Sequence, residues 1–181
     1  MQAPTDTPIS DLLECSFDGA WGPEADSEKG APVLRSTDMR GGQLSFSDVA
    51  HRQIPARTLR KKALLDGDII VNKSSGSAHL VGASVLFEHP DDNKIYICSN
   101  FIRCLRPKKD TVLPEYFHFA LQSPAFRQQV FGAQRTTSGL RNIKITEYLA
   151  AEIPVPPLDE QRRIVGRIKE CMERIDEVRE L

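Results

Sequence analysis

IPVPPLDEQRRIVGRIKECMERIDEVREL, residues 153–181, decides how this chain is organised. Ile164, Ile168, Cys171, Ile175 and Val178 recur at gaps of four, three, four and three, a heptad seam along one helix face. Val165, Met172 and Leu181 flank the seam, and Glu160 falls in the first turn, where the helix dipole favours a carboxylate. Pro154, Pro156 and Pro157 stiffen the approach, so the helix is expected to stand off the body as a lever. A terminal amphipathic helix docked on its own domain is the plainer alternative. The pattern reaches Leu181 without a C-cap glycine, so another chain or segment is expected to complete the seam.

Working back from that helix, TEYLAAEIPVP reads as a helical turn followed by an edge-like strand stopped by prolines. Pro114 opens a helix over Glu115–Leu121, and Ser123-Pro124 opens another to about Phe131. RTTSGLRNIK, residues 135–144, reads as a polar loop after them. Upstream, Asp66-Gly67 makes a turn into a buried strand begun by Ile69-Ile70-Val71. Val81–Phe87 and Ile95–Cys98 read as a hairpin joined by HPDDNK, and Phe101–Leu105 as a strand with Arg103 on a wet face. Towards the N-terminus the first eight residues are expected to fray, and a helical start lies at Ile9–Leu13. Trp21 is expected to anchor the 18–32 loop on the core. A short strand follows at Val33–Arg35, with a turn at Arg40-Gly41-Gly42.

A chain of 181 residues suits one domain with an appendage, and 40% hydrophobic with 27% charged residues suits a folded one. No apolar run nears the roughly 18 residues that span a bilayer, and the N-terminus lacks a secretory pattern. Cys15, Cys98, Cys104 and Cys171 form no CxxC pair, which fits reduced thiols in a cytoplasmic protein and gives no metal-ligand spacing. The net charge of −1 hides a pattern. Residues 1–50 carry −6, residues 51–147 carry +7 and residues 148–181 carry −2. The middle segment has the polarity of a surface that faces phosphate.

No catalytic constellation stands out. GxxxxGK[ST], a strand-borne GxGxxG, GxSxG and HExxH do not occur. Asp66 and Asp68 flank a glycine, and turn chemistry explains them better than a metal pair. What remains are polar stretches with basic punctuation. Asn72–Ser77 offers Lys73, Ser74, Ser75 and Ser77, groups that bond phosphates and reach base edges. Arg135–Lys144 offers Arg135, Thr136, Thr137, Ser138, Arg141, Asn142 and Lys144; arginine reads guanine and asparagine reads adenine through paired bonds. Arg35 and Arg40 flank a third candidate turn. For each stretch the alternative is a solvated turn or connector. Lys61, Lys62, Lys108 and Lys109 read as solvated or generally phosphate-facing charges.

Four stretches together resemble one half of a type I restriction–modification specificity subunit. They are LLDGDIIVNKSSGS with the following VG, LPEYFHFALQSPAFRQQV, TTSGLRNI and IPVPPLDEQRRIVGRI, and they span roughly residues 60–181. The resemblance implies an α/β (α+β) DNA target recognition domain over residues 1–157, with a central, partly antiparallel sheet and flanking helices. It implies that residues 158–181 begin a conserved, coiled-coil-like spacer or dimerisation helix. It also implies a non-catalytic chain that binds double-stranded DNA beside modification (methyltransferase) subunits and a restriction subunit. S-adenosylmethionine, ATP and magnesium would belong to those partners, leaving no cofactor in this chain. The sequence departs from the family in having one recognition domain and a short helix, so it is a fragment or a natural half-subunit. Two halves pairing through their helices would make a symmetric homodimer, for which this heptad run is short. Two alternatives stay open: a protein-interaction module with an oligomerising helix, and the recognition domain of a fused restriction–methylation enzyme.

Overall fold

A computed structural model of the chain describes residues 3–77, 80–132, 134–137 and 140–179, with side chains described outside 131–140. Its centre is a four-stranded antiparallel sheet in the order β2 (Leu13–Asp18), β11 (Ile102–Pro107), β7 (Ile69–Asn72), β9 (Ser84–Leu86). Successive side chains of a strand point to opposite faces, so the apolar run of β7 feeds two cores. Ile69 and Val71 join Ile9, Leu12, Leu105, Phe117 and Tyr148 on one face, while Ile70 joins Leu34, Phe87, Tyr96 and Cys104 on the other. A register slip of one residue would exchange the two sets, which pins the pairing.

The first core is covered by α2 (Pro114–Gln122), with its proline in the first turn, by α3 (Pro124–Gly132) and by α4 (Ile145–Ala150). On the other side β10 (Ile97–Cys98), β3 (Ala31–Leu34) and β6 (Ala50–Arg52) form a second sheet in that order. This corrects the expected hairpin between 81–87 and 95–98, since β10 pairs parallel with β3. Phe87 exchanges its backbone bonds with Gly67 and Asp68 (3.0 and 2.8 Å), and Leu64 donates to the Tyr96 carbonyl (2.9 Å). Both candidate partners are therefore engaged elsewhere, and the chain crosses between sheets.

The N-terminus is also better ordered than expected, because β1 (Thr5–Pro8) pairs antiparallel with β14 (Glu152–Val155). A single 3-10 turn over Ile9–Leu12 then buries both end residues. Trp21 does not anchor the core; it is 45% exposed, with the Arg52 guanidinium 4.2 Å above its ring. The helix α1 (Ala56–Lys62) ends in a basic turn, and Lys62 donates to the carbonyls of Asp18 and Gly19 rather than standing free in solvent. Met39–Arg40 (β4) and Gln43–Leu44 (β5) form the turn foreseen at Arg40-Gly41-Gly42, where φ of +58° and +81° calls for glycine.

The last helix, α5 (Leu158–Arg179), starts as a clamp and continues as a free rod. Gln161 is fully buried. Its amide donates to the carbonyls of Thr111 (3.0 Å) and Pro156 (2.8 Å), and its oxygen accepts from the Leu113 N–H (2.8 Å). Val165 is buried beside it, and Lys169 reaches Glu115 at 3.7 Å. The lever expected from the prolines is thus fastened to the body over its first turns. Ile164 and Ile168 are half-buried, whereas Cys171, Ile175 and Val178 lie exposed. Among the described residues no helix is long and apolar enough to cross a membrane.

Candidate nucleic-acid interface

Two polar stretches far apart in the chain meet in one small sheet. Over its described residues RTTSGLRNIK is mostly strand: β12 (Gln134–Thr137) and β13 (Leu140–Ile143) pair antiparallel, and β13 pairs on its other edge with β8 (Ser74–Ser75). The register places Ser74, Asn142 and Arg135 in one cross-strand row, and Ser75, Arg141 and Thr136 in the next. Thr137 lies opposite Leu140. The Ser74 hydroxyl donates to Asn142 Oδ1, and the Ile143 N–H donates to the Lys73 carbonyl at 3.0 Å. Arg135, Thr136 and Thr137 are placed by backbone register, and Ser138 lies outside the described residues. Arg141 is exposed. Lys144 faces Glu147 at 2.7 Å in an open pair. Ser75 Oγ accepts from the Ser77 N–H (3.1 Å), so those two residues also shape their own turn.

At the edge of this sheet stands a charged cluster that spacing does not announce. Lys73 Nζ and Arg103 Nη1 lie 2.8 and 3.1 Å from Asp18 Oδ1, and Arg103 Nε donates to Ser16 Oγ at 2.7 Å. Burial raises the Asp18 pKa, but hydrogen bonds from Lys73 and Arg103 outweigh it and hold the carboxyl below its ordinary value. Two cations against one anion leave this end of the sheet net positive. The sequence offered Lys73 as a candidate and Arg103 on a wet strand face, but nothing that joined either to Asp18.

The third stretch divides. Arg35 is tied to Asp38 (Nη2 to Oδ1, 2.9 Å) and to Asp48, bonds that organise its own turn. Arg40 is exposed on the β4–β5 hairpin, with Nε donating to the Thr37 carbonyl at 3.1 Å. The glycines beside it rim a groove of about 410 Å³ shared with Leu80, Ser84, Gln122 and Arg127. Ser84 Oγ is buried there without a hydrogen-bond partner among the described residues, a polar group of the kind that usually finds one. Asp68, in contrast, is wholly structural. Its carboxylate accepts from Arg106 Nε and Nη2 (2.8 and 2.7 Å) and from the Leu65 N–H (2.9 Å). Among the described residues no group of three or more His, Cys, Asp or Glu side chains is placed to hold a metal ion.

Residues 9–179 match the family described as type I restriction modification DNA specificity domain. The chain is 28% identical over 153 residues to the type I restriction enzyme EcoKI specificity subunit of Escherichia coli (strain K12), covering 84% of this chain and 32% of that protein. It is 25% identical over 148 residues to the StySPI specificity subunit of Salmonella potsdam, covering 80% of this chain and 30% of that one. The chain thus spans roughly a third of the length of these relatives. Its fold is similar to the crystal structure of the HsdS subunit from Thermoanaerobacter tengcongensis, with a TM-score of 0.72 at 18% identity, over 99% of this chain and 44% of that one.

Proposed function

The chain belongs to the type I restriction modification DNA specificity domain family, and from that premise we propose that it reads a double-stranded DNA sequence on behalf of partner subunits. The observation that carries the reading is the joining of Ser74–Ser75 with Leu140–Ile143 in one sheet edged by Lys73 and Arg103. Hydroxyl, amide and guanidinium groups there suit base edges and phosphates, and the +7 charge of residues 51–147 suits a polyanion. The chain itself is non-catalytic in this reading. Modification subunits would supply S-adenosylmethionine chemistry, and a restriction subunit would supply cleavage with ATP and magnesium, all in the cytoplasm. The exposed half of α5 serves spacing and assembly, through Cys171, Ile175 and Val178, with a partner helix or a second copy.

Anisotropy titrations of the complex assembled with its modification subunits test this directly. Methylome sequencing of a host carrying the system supplies the cognate duplex. Arg141→Ala should lower cognate affinity about tenfold or more, in line with roughly 1–3 kcal/mol for a base-reading arginine. Unchanged affinity together with an unchanged salt slope would show that this sheet does not face DNA.

A further inference from the structure

Eight large apolar side chains are exposed among the described residues; Leu65 and Ile95 stand apart, and the other six fall in two groups. Met172, Ile175 and Val178 lie on α5, while Trp21, Leu80 and Phe101 lie in connections at the end of the central sheet where β2 and β7 finish and β9 and β11 begin. That is the end bearing Lys73 and Arg103. Arg52 covers a face of Trp21 and Leu80 rims the groove, but Phe101 is 53% exposed at the tip of a turn.

An isolated exposed apolar side chain needs no explanation. Phe101 has a more specific setting. The turn closes through the Ile102 N–H on the Ser99 carbonyl (3.0 Å), and Phe101 itself accepts from the Lys73 N–H (2.9 Å). The latter bond carries the β11–β7 ladder one residue past the Ile102–Asn72 pair, straight into the candidate DNA-facing stretch. From the other side Gly19 donates to the Ile102 carbonyl (3.2 Å) and Ala20 to the Cys98 carbonyl (2.8 Å). A Cβ on Gly19 would sit 2.0 Å from the Cys98 oxygen, so only glycine lets the chain brace the turn so closely. The fold thus braces the backbone beneath a half-exposed aromatic side chain, bonded directly to the backbone of Lys73 and two residues before Arg103 in the chain.

We propose that Phe101 is a specificity-determining contact that packs on the methyl group of a thymine in the recognised DNA. The proposal rests on the DNA-reading function above. The thymine methyl is the apolar group that the major groove displays, and contact with it reports sequence in a way that contact with phosphate does not. Lys73 and Arg103 would hold the backbone alongside. A ring with two side-chain torsions on a braced turn loses little freedom when it docks, which favours it as an anchor.

The test uses the assembled complex with modification subunits, titrated with cognate and scrambled duplexes over a range of salt. Phe101→Ala should weaken cognate binding about tenfold, leave scrambled binding and the salt slope unchanged, and leave the melting temperature unchanged because the ring is exposed. Phe101→Leu should retain most of the affinity. Replacing cognate thymines one at a time by deoxyuridine should reproduce the loss at one position in the wild type and cost nothing further in Phe101→Ala. Equal cognate affinity in Phe101→Ala and wild type overturns the proposal, as does an equal loss on scrambled DNA. A loss that no deoxyuridine reproduces overturns the thymine contact in favour of stacking on a base step. Wild-type complex that binds no DNA removes the functional reading itself, and this residue's role with it.

Discussion

The two ends of the central sheet carry the same ingredients and treat them in opposite ways. Asp68 leads into β7 and meets Arg106 of β11; Lys73 leaves β7 and shares Asp18 with Arg103 of β11. The Asp68 side chain is 1% exposed and its oxygens are filled by Arg106 and the Leu65 N–H. Asp18 is 46% exposed. A closed pair fixes the fold, because no outside group can displace either partner. The second cluster is open at its carboxylate, while its cations, Lys73 and Arg103, are 18% and 20% exposed; in the proposed function a phosphate competes with that carboxylate for them. On that proposal, the difference separates structure from recognition along a single pair of strands.

The largest effect is expected at the closed end. Among the described residues, Asp68→Ala leaves the Arg106 guanidinium only the Ala63 carbonyl (3.0 Å) as a hydrogen-bond acceptor, stranding a largely buried charge. Loss of one partner from such a pair destabilises by about 3–5 kcal/mol. Urea denaturation of the variant should show that loss; a change below about 1 kcal/mol would erase the contrast between the ends.

His118 extends the closed class and gives it a pH dependence. Burial lowers its pKa to about 4, and its Nδ1 has no partner among the described residues. A histidine depressed in the fold is neutral there while the unfolded chain protonates near 6.5, so stability is full above that value and falls as pH drops towards 4. The loss over that window is on the order of 3 kcal/mol. In His118→Gln the slope between pH 6.5 and 4 should flatten; a slope that persists would assign it to other groups.

Next comes Gln161, which closes the junction between body and rod. Gln161→Ala orphans the Leu113 N–H and the Thr111 and Pro156 carbonyls, at about 1–3 kcal/mol. Hydrogen exchange should speed up in the first turns of α5 while the central sheet stays protected. Uniform acceleration across the chain would mean that rod and body unfold together.

These residues also mark what could be read in advance. The apolar run of β7, the prolines opening α2 and α3 and the apolar spacing of α5 were legible, since each is a pattern local in sequence. The β12–β13 pair was not, because RTTSGLRN shows no alternation of apolar and polar residues to mark strands. The pairing of β10 with β3 depended on which backbone groups were already engaged, a fact about the whole fold. Arg103 and Asp18 are 85 residues apart, and a lone Gln161 inside an amphipathic helix has no period at all. Candidate DNA-facing residue types were visible; the meeting of two stretches in one sheet was not.

The smallest expected change in stability falls at the open end and discriminates best. Asp18→Asn removes the anion between Lys73 and Arg103 while keeping its shape. The carboxyl is held below its ordinary pKa, so its stabilising contribution is present at neutral pH and fades only as pH falls through that lowered value. With the side chain nearly half exposed, its loss should stay within about 1 kcal/mol. Its effect on DNA runs the other way. Two cations released from their carboxylate attract phosphate more strongly, so binding to any sequence should tighten about two- to fivefold at low salt, with a salt slope steeper by about one contact. Tighter scrambled binding with unchanged cognate preference is the signature of a phosphate-facing cluster. Should Asp18→Asn instead melt as early as Asp68→Ala, both ends of the sheet would be structural, and the cations at Lys73 and Arg103 would have no claim on DNA.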